Sequence, residues 1–347
     1  MTKLKPQLYV FQWISDLGGS DTRLKELLML LHKEFSITCI PNDEFRLTEK
    51  ANTDFLDSLG VKYSSMAKLP KKLDGFAYSN CNFRIFEKER IHFIQESGLK
   101  FIWSNDMMWT TPEELEAIQK NQVDCVLFTS AFHKEALGPS IFAANPSQHT
   151  AILENYFDST NWPYVKRPKK EVVTCGKVSR ADFMKFSEDF PIFYESATRG
   201  LATNFSIMGW SEALKAKYAW HPFSERWKFL PPNAIKTQDW YTSIDVFLYD
   251  CSHLFRESQG RTLIEAQLTG CPVVAPKKWN FPNMVWNERT GFLWDTLEEA
   301  QEEMRALMDY DYRTKKGLLA SEFTRAIWCD ATTAKRNWNN ILSSINT

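Results

Sequence analysis

Short apolar runs that alternate with longer segments of helical period restrict the folds open to this chain more than any other feature. The run Leu8–Ile14 has the length of a buried strand, and Thr22–Lys33 repeats its apolar residues with the period of a helix. Successive strands separated by helices pair in parallel, since a parallel crossover needs a dozen or more residues. Parallel sheets are covered by helices on both faces. The alternation therefore predicts an α/β fold with doubly wound parallel sheets.

The same alternation runs through both halves of the chain. The strands predicted in the first half are Leu8–Ile14, Ser36–Ile40, Asp74–Tyr78, Lys100–Ser104 and Cys125–Thr129. The helices predicted there are Thr22–Lys33, Phe86–Ser97, Pro112–Asn121 and Ser130–Leu137. The strands predicted in the second half are Val172–Cys175, Phe205–Met208, Trp227–Leu230, Val246–Tyr249 and Pro272–Ala275. Its predicted helices are Phe186–Ser196, Ser211–Tyr218, Thr262–Leu268, Leu297–Met308 and one near the C-terminus.

The length of 347 residues predicts two domains. The best boundary is a polar stretch between residues 155 and 170 that holds two prolines and several basic side chains. We therefore predict a Rossmann-like domain over residues 1–158, a linker over 159–170 and a second Rossmann-like domain from residue 171. We expect a ligand at the carboxyl ends of the strands, in a cleft between the domains.

The composition disfavours several classes of protein. Lysine and arginine number 42 against 43 aspartates and glutamates, whereas nucleic-acid binding needs a basic surface. No apolar run approaches the roughly 20 residues of a membrane span, and no signal peptide is apparent. The seven cysteines lie apart and form no C-x-x-C pair, which predicts reduced thiols and a cytoplasmic location. The six histidines lack the spacing of zinc ligands, so no metal site is predicted.

A glycine-rich turn follows the first predicted strand and opens the first predicted helix. Gly18 and Gly19 let the backbone approach a ligand, and the N–H groups of a helix start can bind an anion or a hydroxyl. The turn lacks the G-x-G-x-x-G pattern of dinucleotide-binding sites. The residues alone leave open whether it is a binding site or an ordinary connection.

The segment from Glu257 to Glu265 carries the strongest chemical signal. Gly260 lies between the two glutamates, and a helix that starts after it places Glu265 on the second turn. Both carboxylates can then face one ligand, and each can accept hydrogen bonds from hydroxyl groups of a sugar. The N–H groups around Gly260–Thr262 can hold a phosphate. The alternative is a solvated loop glutamate and a helix glutamate that pairs with a lysine.

This segment, with Gly270-Cys-Pro-Val-Val after it, resembles the E-x7-E signature of the family 4 retaining glycosyltransferases, which have the GT-B fold. Five further segments resemble that family in the same order along the chain. They are Gly18–Leu24, Ile152–Asp158, Cys175–Lys185, Tyr241–Leu248 and Arg289–Leu293. The similarity spans most of the chain and is dense from about residue 172 to 295. It implies a GT-B fold made of two Rossmann-like domains.

The resemblance implies roles for the residues that match. Glu257 is implied to contact the donor sugar, and Glu265 the nucleotide ribose. The residues implied to contact the donor through their backbone are Gly18, Gly19, Gly260, Arg261 and Thr262.

Three cations are candidates to bind the diphosphate of the donor. Lys185 is implied to neutralise it together with Lys177 or Arg180. Lys177 stands where the family usually has an arginine, and a lysine lacks the bidentate geometry that an arginine offers to phosphate. Gln259 stands where the family often has an aromatic residue, so the base and the sugar of the donor stay open. A basic solvated turn is the alternative for the three cations.

The candidates on the acceptor side lie in the first domain. The family often has a histidine where Asn105 stands, at a position that often meets the donor sugar or the acceptor. We expect Asn105 or Asp106 to take that role, and Asp106 joins Glu257 and Lys185 as a catalytic candidate. His133 is a further candidate, although a lone histidine after a strand is more often structural.

The resemblance also implies that the second domain ends near residue 325 and that the last helix, over 326–347, crosses back to the first domain. Trp338, Ile341, Leu342 and Ile345 fall on one helical stripe, which suits such packing. The alternative is a helix that packs only on the second domain.

The resemblance implies a retaining, metal-independent hexosyltransferase. It moves a sugar from a nucleotide diphosphate donor of the UDP or GDP type to a hydroxyl of a glycan or glycolipid. No cofactor is expected beyond this co-substrate, and peripheral contact with a membrane is left open. The alternatives are a nucleotide-sugar epimerase, a non-catalytic nucleotide-sugar-binding protein, and a transferase that acts on a modified nucleic-acid base.

Overall fold

The computed structural model describes residues 5–15, 18–287 and 289–345. The chain forms two compact units: Met1–Asp158 with Asp330–Thr347, and Ser159–Cys329. Each unit holds one parallel sheet with helices, so the predicted α/β architecture is confirmed. Across the described ranges, no helix combines the length and the apolar character that a membrane span requires.

The sheet of the first unit has seven parallel strands. They are β1 (Gln7–Val10), β2 (Ser36–Cys39), β3 (Lys62–Tyr63), β4 (Phe76–Asn80), β5 (Lys100–Ser104), β6 (Cys125–Phe128) and β7 (Thr150–Ile152). Their order in the sheet is β3-β2-β1-β4-β5-β6-β7. Strands β2 and β3 are added on one side of β1, and the chain then returns to place β4 on the other side of β1. The carboxyl ends of β1 and β4 therefore flank a topological switch point, where sheets of this kind bind ligands.

Helices cover both faces of this sheet. They are α1 (Gly19–Leu31), α2 (Lys50–Ser58), α3 (Lys88–Ser97), α4 (Pro112–Gln119) and α5 (Ala131–Ala144). Phe76 and Tyr78 of β4 belong to one apolar cluster, and Ala77 between them belongs to another. Because side chains alternate along a strand, the two clusters lie on opposite faces, as a doubly wound sheet requires.

The sheet of the second unit has six parallel strands. They are β8 (Val173–Val178), β9 (Thr203–Met208), β10 (Trp227–Leu230), β11 (Val246–Leu248), β12 (Val273–Pro276) and β13 (Gly291–Trp294). The helices of this unit are α6 (Phe190–Ala197), α7 (Glu212–Lys217), α8 (Thr237–Ser243), α9 (Arg261–Leu268), α10 (Phe281–Met284), α11 (Leu297–Ala306) and α12 (Tyr310–Trp328). The strand order β10-β9-β8-β11-β12-β13 places the switch point between β8 and β11.

The segment 159–170, predicted as a linker, differs from that prediction because it packs on the second unit. Trp162 is buried, and its ring contacts Tyr241 edge-on with 5.9 Å between centroids. Arg167 is also buried, and its guanidinium donates to the carbonyls of Ile244 at 3.1 Å and Tyr241 at 2.8 Å. These contacts make the segment part of the folded unit.

The last helix, α13 (Ala331–Ile345), joins the apolar core of the first unit. Its residues Trp338, Ile341 and Leu342 are buried in the cluster that also holds Leu24 of α1. Helix α12 ends at Trp328, so the segment grouped with the first unit starts at residue 330 rather than at the predicted 326.

Helix α5 is longer than predicted. The predicted range ends at Leu137, yet the helix runs on to Ala144 with Gly138 and Pro139 inside it. Leu137 and Ile141 are both buried in the core and lie four residues apart on one helix face. Their packing outweighs the low helix propensity of the Gly-Pro pair.

Buried cysteines are expected to make the free energy of unfolding depend on pH in alkaline solution. The seven cysteines all lie in the described ranges, where none of them is joined in a disulfide. Burial raises the pKa of Cys39, Cys125 and Cys271 to about 12 and that of Cys251 to about 11. The unfolded chain releases these protons near pH 8.5 while the folded chain keeps them. The free energy of unfolding should therefore fall above about pH 9, by up to about 1.4 kcal/mol per pH unit for each thiol.

Urea unfolding at pH 7.5, 9 and 10 in a reducing buffer measures this effect. Burial lowers the pKa of Lys177 to about 8, and this shift by itself would make the free energy of unfolding rise with pH. The several buried thiols outweigh this single lysine. Cys39→Ala should flatten the decline, whereas the same change at Cys329, which is only partly buried, is the control. An equally steep decline in Cys39→Ala and the wild type would contradict the assignment to this thiol.

Candidate functional site

An ion pair stands beyond the carboxyl ends of β8 and β11, at the switch point of the second sheet. Lys185 ends a 3₁₀ helix, Phe183–Lys185, that follows β8, and Glu257 lies in the loop between β11 and α9. Lys185 Nζ and Glu257 Oε1 are 2.9 Å apart, with 13% and 12% of the side chains exposed. The structure thus brings together the predicted phosphate-neutralising lysine and the predicted sugar-binding glutamate.

Both loops that carry this pair are fixed by further hydrogen bonds. The hydroxyl of Tyr249 donates to Glu257 Oε1 at 3.1 Å. The amide of Ser252 donates to the carbonyl of Met184 at 3.1 Å, which joins the two loops next to the pair. The side chain of Asn280 donates to the carbonyl of Ser258 at 2.9 Å. These hydrogen bonds therefore hold the carboxylate and the ammonium group in one arrangement.

The other two predicted cations have different surroundings. Lys177, at the end of β8, is fully buried, and its ammonium donates to the carbonyl of Asp250 and lies 4.0 Å from the ring centroid of Tyr249. Because burial lowers its pKa to about 8, part of the Lys177 population is neutral in mildly alkaline solution. Arg180 is exposed in the loop that follows. Lys177 thus contacts Tyr249, which itself binds Glu257.

Helix α9 presents its N-terminus in the same region. Gly260 caps it with φ +79°, a left-handed conformation that favours glycine. A Cβ there would also come within 3.2 Å of Leu263 Cδ1. The first N–H groups of a helix have no partner within it, so those of Arg261 and Thr262 can bind an anion.

Glu265 lies on the second turn of α9, as predicted, and is buried to 6% exposure. Its carboxylate accepts from the hydroxyl of Tyr241 at 3.2 Å and lies 3.4 Å from a guanidinium nitrogen of Arg261. Burial keeps the pKa of Tyr241 well above its usual value, so this phenol stays a neutral donor. Arg261, predicted to act through its backbone, therefore also orients Glu265 with its side chain.

The first unit has its own polar network at the carboxyl ends of β4 and β5. Asp106 pairs with the buried guanidinium of Arg23 and accepts from Ser104 Oγ at 3.0 Å and from Asn80 Nδ2 at 3.2 Å. Arg23 also donates to Ser104 Oγ at 2.8 Å. This carboxylate is oriented by three neighbours from α1, β4 and β5.

Asn105 and His133 are buried and support the same loop. Asn105 Nδ2 donates to Glu114 Oε1 at 3.0 Å and to the carbonyl of Trp109 at 2.9 Å. A ring nitrogen of His133 lies 2.7 Å from the carbonyl of Met107. Burial lowers the pKa of His133, which keeps the ring neutral at physiological pH. Both side chains hold the loop after β5.

The glycine-rich turn is described only from Gly18 onward, and Asp16 lies outside the described residues. Gly18 is the N-cap of α1 in an extended conformation, and Gly19 is exposed as the first residue of the helix. A Cβ on Gly18 would meet no atom within 4 Å, so packing in the first unit does not require glycine there. Next in the chain, Ser20 Oγ accepts from Asn80 Nδ2 at 2.8 Å.

The sequence predicts no role for several side chains of these networks. Tyr249 ends an apolar run and Tyr241 lies in a polar segment beside Trp240, and only the fold shows that their hydroxyls reach the two glutamates. Arg23 gives a readable signal, because it is a charged residue on the apolar face of the first helix. Glu114 belongs to the predicted helix start, and that role in the sequence gives no indication of its hydrogen bond with Asn105. Within the described ranges, no group of three His, Cys, Asp or Glu side chains is placed to hold a metal.

Comparison with known proteins agrees with this geometry. Residues 169–309 match the family described as "Glycosyl transferases group 1", a range that contains the Lys185–Glu257 pair and all of α9. No curated protein matches the chain.

Several solved structures resemble the whole chain. HepE of Anabaena, in complex with UDP and glucose, is 15% identical with a TM-score of 0.71, and the match covers 98% of this chain and 100% of HepE. A glycosyltransferase from Rickettsia africae is 13% identical with a TM-score of 0.74, with 99% of both chains covered. Sucrose-phosphate synthase from Thermosynechococcus elongatus is 14% identical with a TM-score of 0.67, with 98% and 100% covered.

At these identities the structures establish a shared fold, and the family match adds the sequence evidence for the second unit. The predicted resemblance to GT-B glycosyltransferases is therefore confirmed, by a match to the family described as "Glycosyl transferases group 1" over residues 169–309 and by the shared fold.

Proposed function

We propose that this protein is a glycosyltransferase that moves a sugar from a nucleotide diphosphate donor to a hydroxyl group of a glycan or glycolipid. The observation that carries this proposal is the mostly buried ion pair between Lys185 and Glu257. The two side chains are 2.9 Å apart at the switch point of the second sheet. The pair lies inside the segment that matches the glycosyltransferase family.

The chemistry of the pair suits this reaction. The bond between the anomeric carbon and the diphosphate oxygen breaks, the acceptor oxygen bonds to that carbon, and the acceptor proton passes to the leaving diphosphate. Negative charge grows on the diphosphate as the bond breaks, and fixed positive groups stabilise it most at that moment. Lys185 and the N–H groups at the start of α9 are such groups, so we propose transfer without a metal ion. Glu257 accepts hydrogen bonds from hydroxyl groups of the donor sugar.

Glu265 is proposed to hold the ribose of the donor. A carboxylate oriented by Tyr241 and Arg261 can accept hydrogen bonds from two vicinal hydroxyl groups. The base is proposed to be uracil or guanine, and the HepE structures, which contain UDP or UDP-glucose, favour uracil. We propose retention of the anomeric configuration on the predicted resemblance alone.

A donor screen tests the proposal. The melting temperature is measured with UDP, GDP and ADP and their glucose forms, since a ligand at 100 times its dissociation constant stabilises by about 2.7 kcal/mol. The donor that binds is then supplied with acceptor sugars, with and without EDTA, and the anomeric proton of the product is followed by NMR. An inverted product would contradict retention, and loss of rate in EDTA would contradict metal independence. Binding without turnover on any acceptor would favour the non-catalytic alternative.

Glu265→Ala should weaken the binding of the free nucleotide diphosphate by roughly ten- to hundredfold, because a hydrogen bond to a charged group is worth about 1.5–3 kcal/mol. Calorimetry with the nucleotide measures this directly. Glu299→Ala is a control on helix α11, where the glutamate caps its own helix. Unchanged affinity in Glu265→Ala would remove Glu265 from the ribose role.

A further inference from the structure

Trp109 is an exposed tryptophan in a unit that buries its others. The first unit contains four tryptophans, and Trp13, Trp103 and Trp338 are buried in its core. Trp109 lies in the loop between β5 and α4 and is 48% exposed. The exposed part of this large aromatic side chain is available to a partner molecule.

The ring of Trp109 is held in one orientation. It stacks on Phe83 with 4.8 Å between centroids and 17° between planes. Phe83 in turn packs edge-on against the buried ring of Trp103 at 5.3 Å. One face of the indole is thus backed by the core, which fixes the plane of the ring.

The backbone of this loop is also fixed, by buried polar groups. Asn105 donates to the carbonyl of Trp109 at 2.9 Å, and its own amide oxygen accepts from the N–H of Met107 at 2.8 Å. His133 binds the carbonyl of Met107 at 2.7 Å, and Glu114 anchors Asn105 at 3.0 Å. Several buried side chains therefore serve a loop whose aromatic residue faces solvent, which is the arrangement of a preorganised binding site.

The same loop carries a fixed carboxylate. Asp106 lies three residues before Trp109 and is oriented by Arg23, Ser104 and Asn80. A pyranose ring presents an apolar face of C–H groups and a rim of hydroxyl groups. A flat aromatic ring suits that face, and a carboxylate suits the hydroxyl groups.

Resting on the proposed function, the geometry points to Trp109 as the stacking platform for a sugar ring of the acceptor. The acceptor is then a saccharide that this protein binds through the loop 105–111, with the apolar face of one ring on the indole and a hydroxyl near Asp106. The charge of this part of the chain agrees, since residues 1–158 carry 17 basic and 21 acidic side chains and so lack the basic excess that a polyanion requires.

A glycan microarray tests this binding without turnover. The array is probed with the wild-type full chain and with three variants, Trp109→Ala, Trp109→Phe and Trp220→Ala. Trp220→Ala is the control, because Trp220 is a tryptophan of the second unit that is 54% exposed. The wild type and Trp220→Ala should label the same saccharides. Trp109→Ala should bind them about tenfold more weakly, and Trp109→Phe should keep most of the signal, because its ring still stacks.

Two companion measurements separate this inference from the proposed function. Affinity for UDP by calorimetry should be the same in the wild type and Trp109→Ala, and circular dichroism should show the same fold. A wild type that binds UDP but labels no saccharide, or that loses no signal in Trp109→Ala, would overturn the platform while the proposed function stands. Binding of a single-stranded DNA 12-mer in place of saccharides would also overturn it. Failure to bind either UDP or GDP would count against the proposed function itself.

Discussion

Lys185→Ala is expected to lower kcat by about 10²–10³-fold while it changes the affinity for the donor far less. The reason is that the charge on the leaving diphosphate grows toward the transition state, so a fixed cation there acts mainly on the barrier. Lys185 Nζ is held 2.9 Å from Glu257 and needs no reorganisation during the reaction. Initial rates and calorimetry on the same protein preparation separate the two effects.

The matched control for this change is Lys277→Ala. Lys277 also forms a lysine–carboxylate pair in the second unit, with Asp295 at 3.2 Å, but both side chains are more than half exposed. Its removal should leave kcat within a factor of two, since exposed pairs contribute little. Equal losses of rate and donor affinity in Lys185→Ala would mean that Lys185 binds the ground state and the transition state alike. No loss at all would remove it from the site.

Trp338→Ala should cost the first unit about 3–5 kcal/mol of unfolding free energy, the range observed when a buried tryptophan or phenylalanine is cut to alanine. Trp338 is 1% exposed and contacts the ring of Tyr78 edge-on at 5.3 Å, in the core cluster of the first sheet. Denaturant unfolding monitored by circular dichroism measures the loss. Helix α13 is thus expected to be an essential part of the core of the first unit.

Asn339→Ala is the control for this prediction, because Asn339 is exposed on the same helix and should change stability by less than about 0.5 kcal/mol. A chain that stops at Asp330 loses the whole helix and should be less stable still. If the shortened chain kept the wild-type stability, the packing of α13 would have no energetic consequence and the prediction would be wrong.

Several strands and the capped helices could be predicted from the sequence. The bounds of β5, which is buried from Phe101 to Ser104, and of β10, an edge strand whose apolar residues flank Lys228, agree residue for residue with the prediction. The start of α4 agrees as well: Pro112 is its first residue, Thr111 caps it, and Glu114 in the first turn completes a capping box with Thr111. Local chemistry alone sets these features.

Elements that depend on their neighbours were missed. β3 has two residues and β7 has three, and both lie at edges of the first sheet, where pairing with one neighbouring strand defines them. The segment 159–170 has the composition of a linker, yet Trp162 and Arg167 tie it to the second unit through contacts with residues more than 70 positions away. No local pattern reports such contacts.

The candidate site shows the same division. The types and spacing of Glu257, Gly260 and Glu265 follow from the sequence, because a glycine before a helix start and carboxylates eight positions apart are local features. That Tyr249 reaches Glu257 and that Lys177 turns inward were decided by the fold. A buried tyrosine in an apolar run has the same pattern whether or not its hydroxyl serves a site.

The sequence by itself determined the α/β class, the two sheets and the segment that carries the carboxylates, because periodicity, helix capping and glycine placement act within a few residues. The tertiary structure alone decided that Lys185 meets Glu257 across 72 positions, that Arg23 meets Asp106 across 83, and that Trp109 is left in solvent on a fixed loop. Parallel sheets bring together the carboxyl ends of strands that are far apart in the chain. The partners of a charged side chain there are therefore set by strand order, which no local pattern encodes.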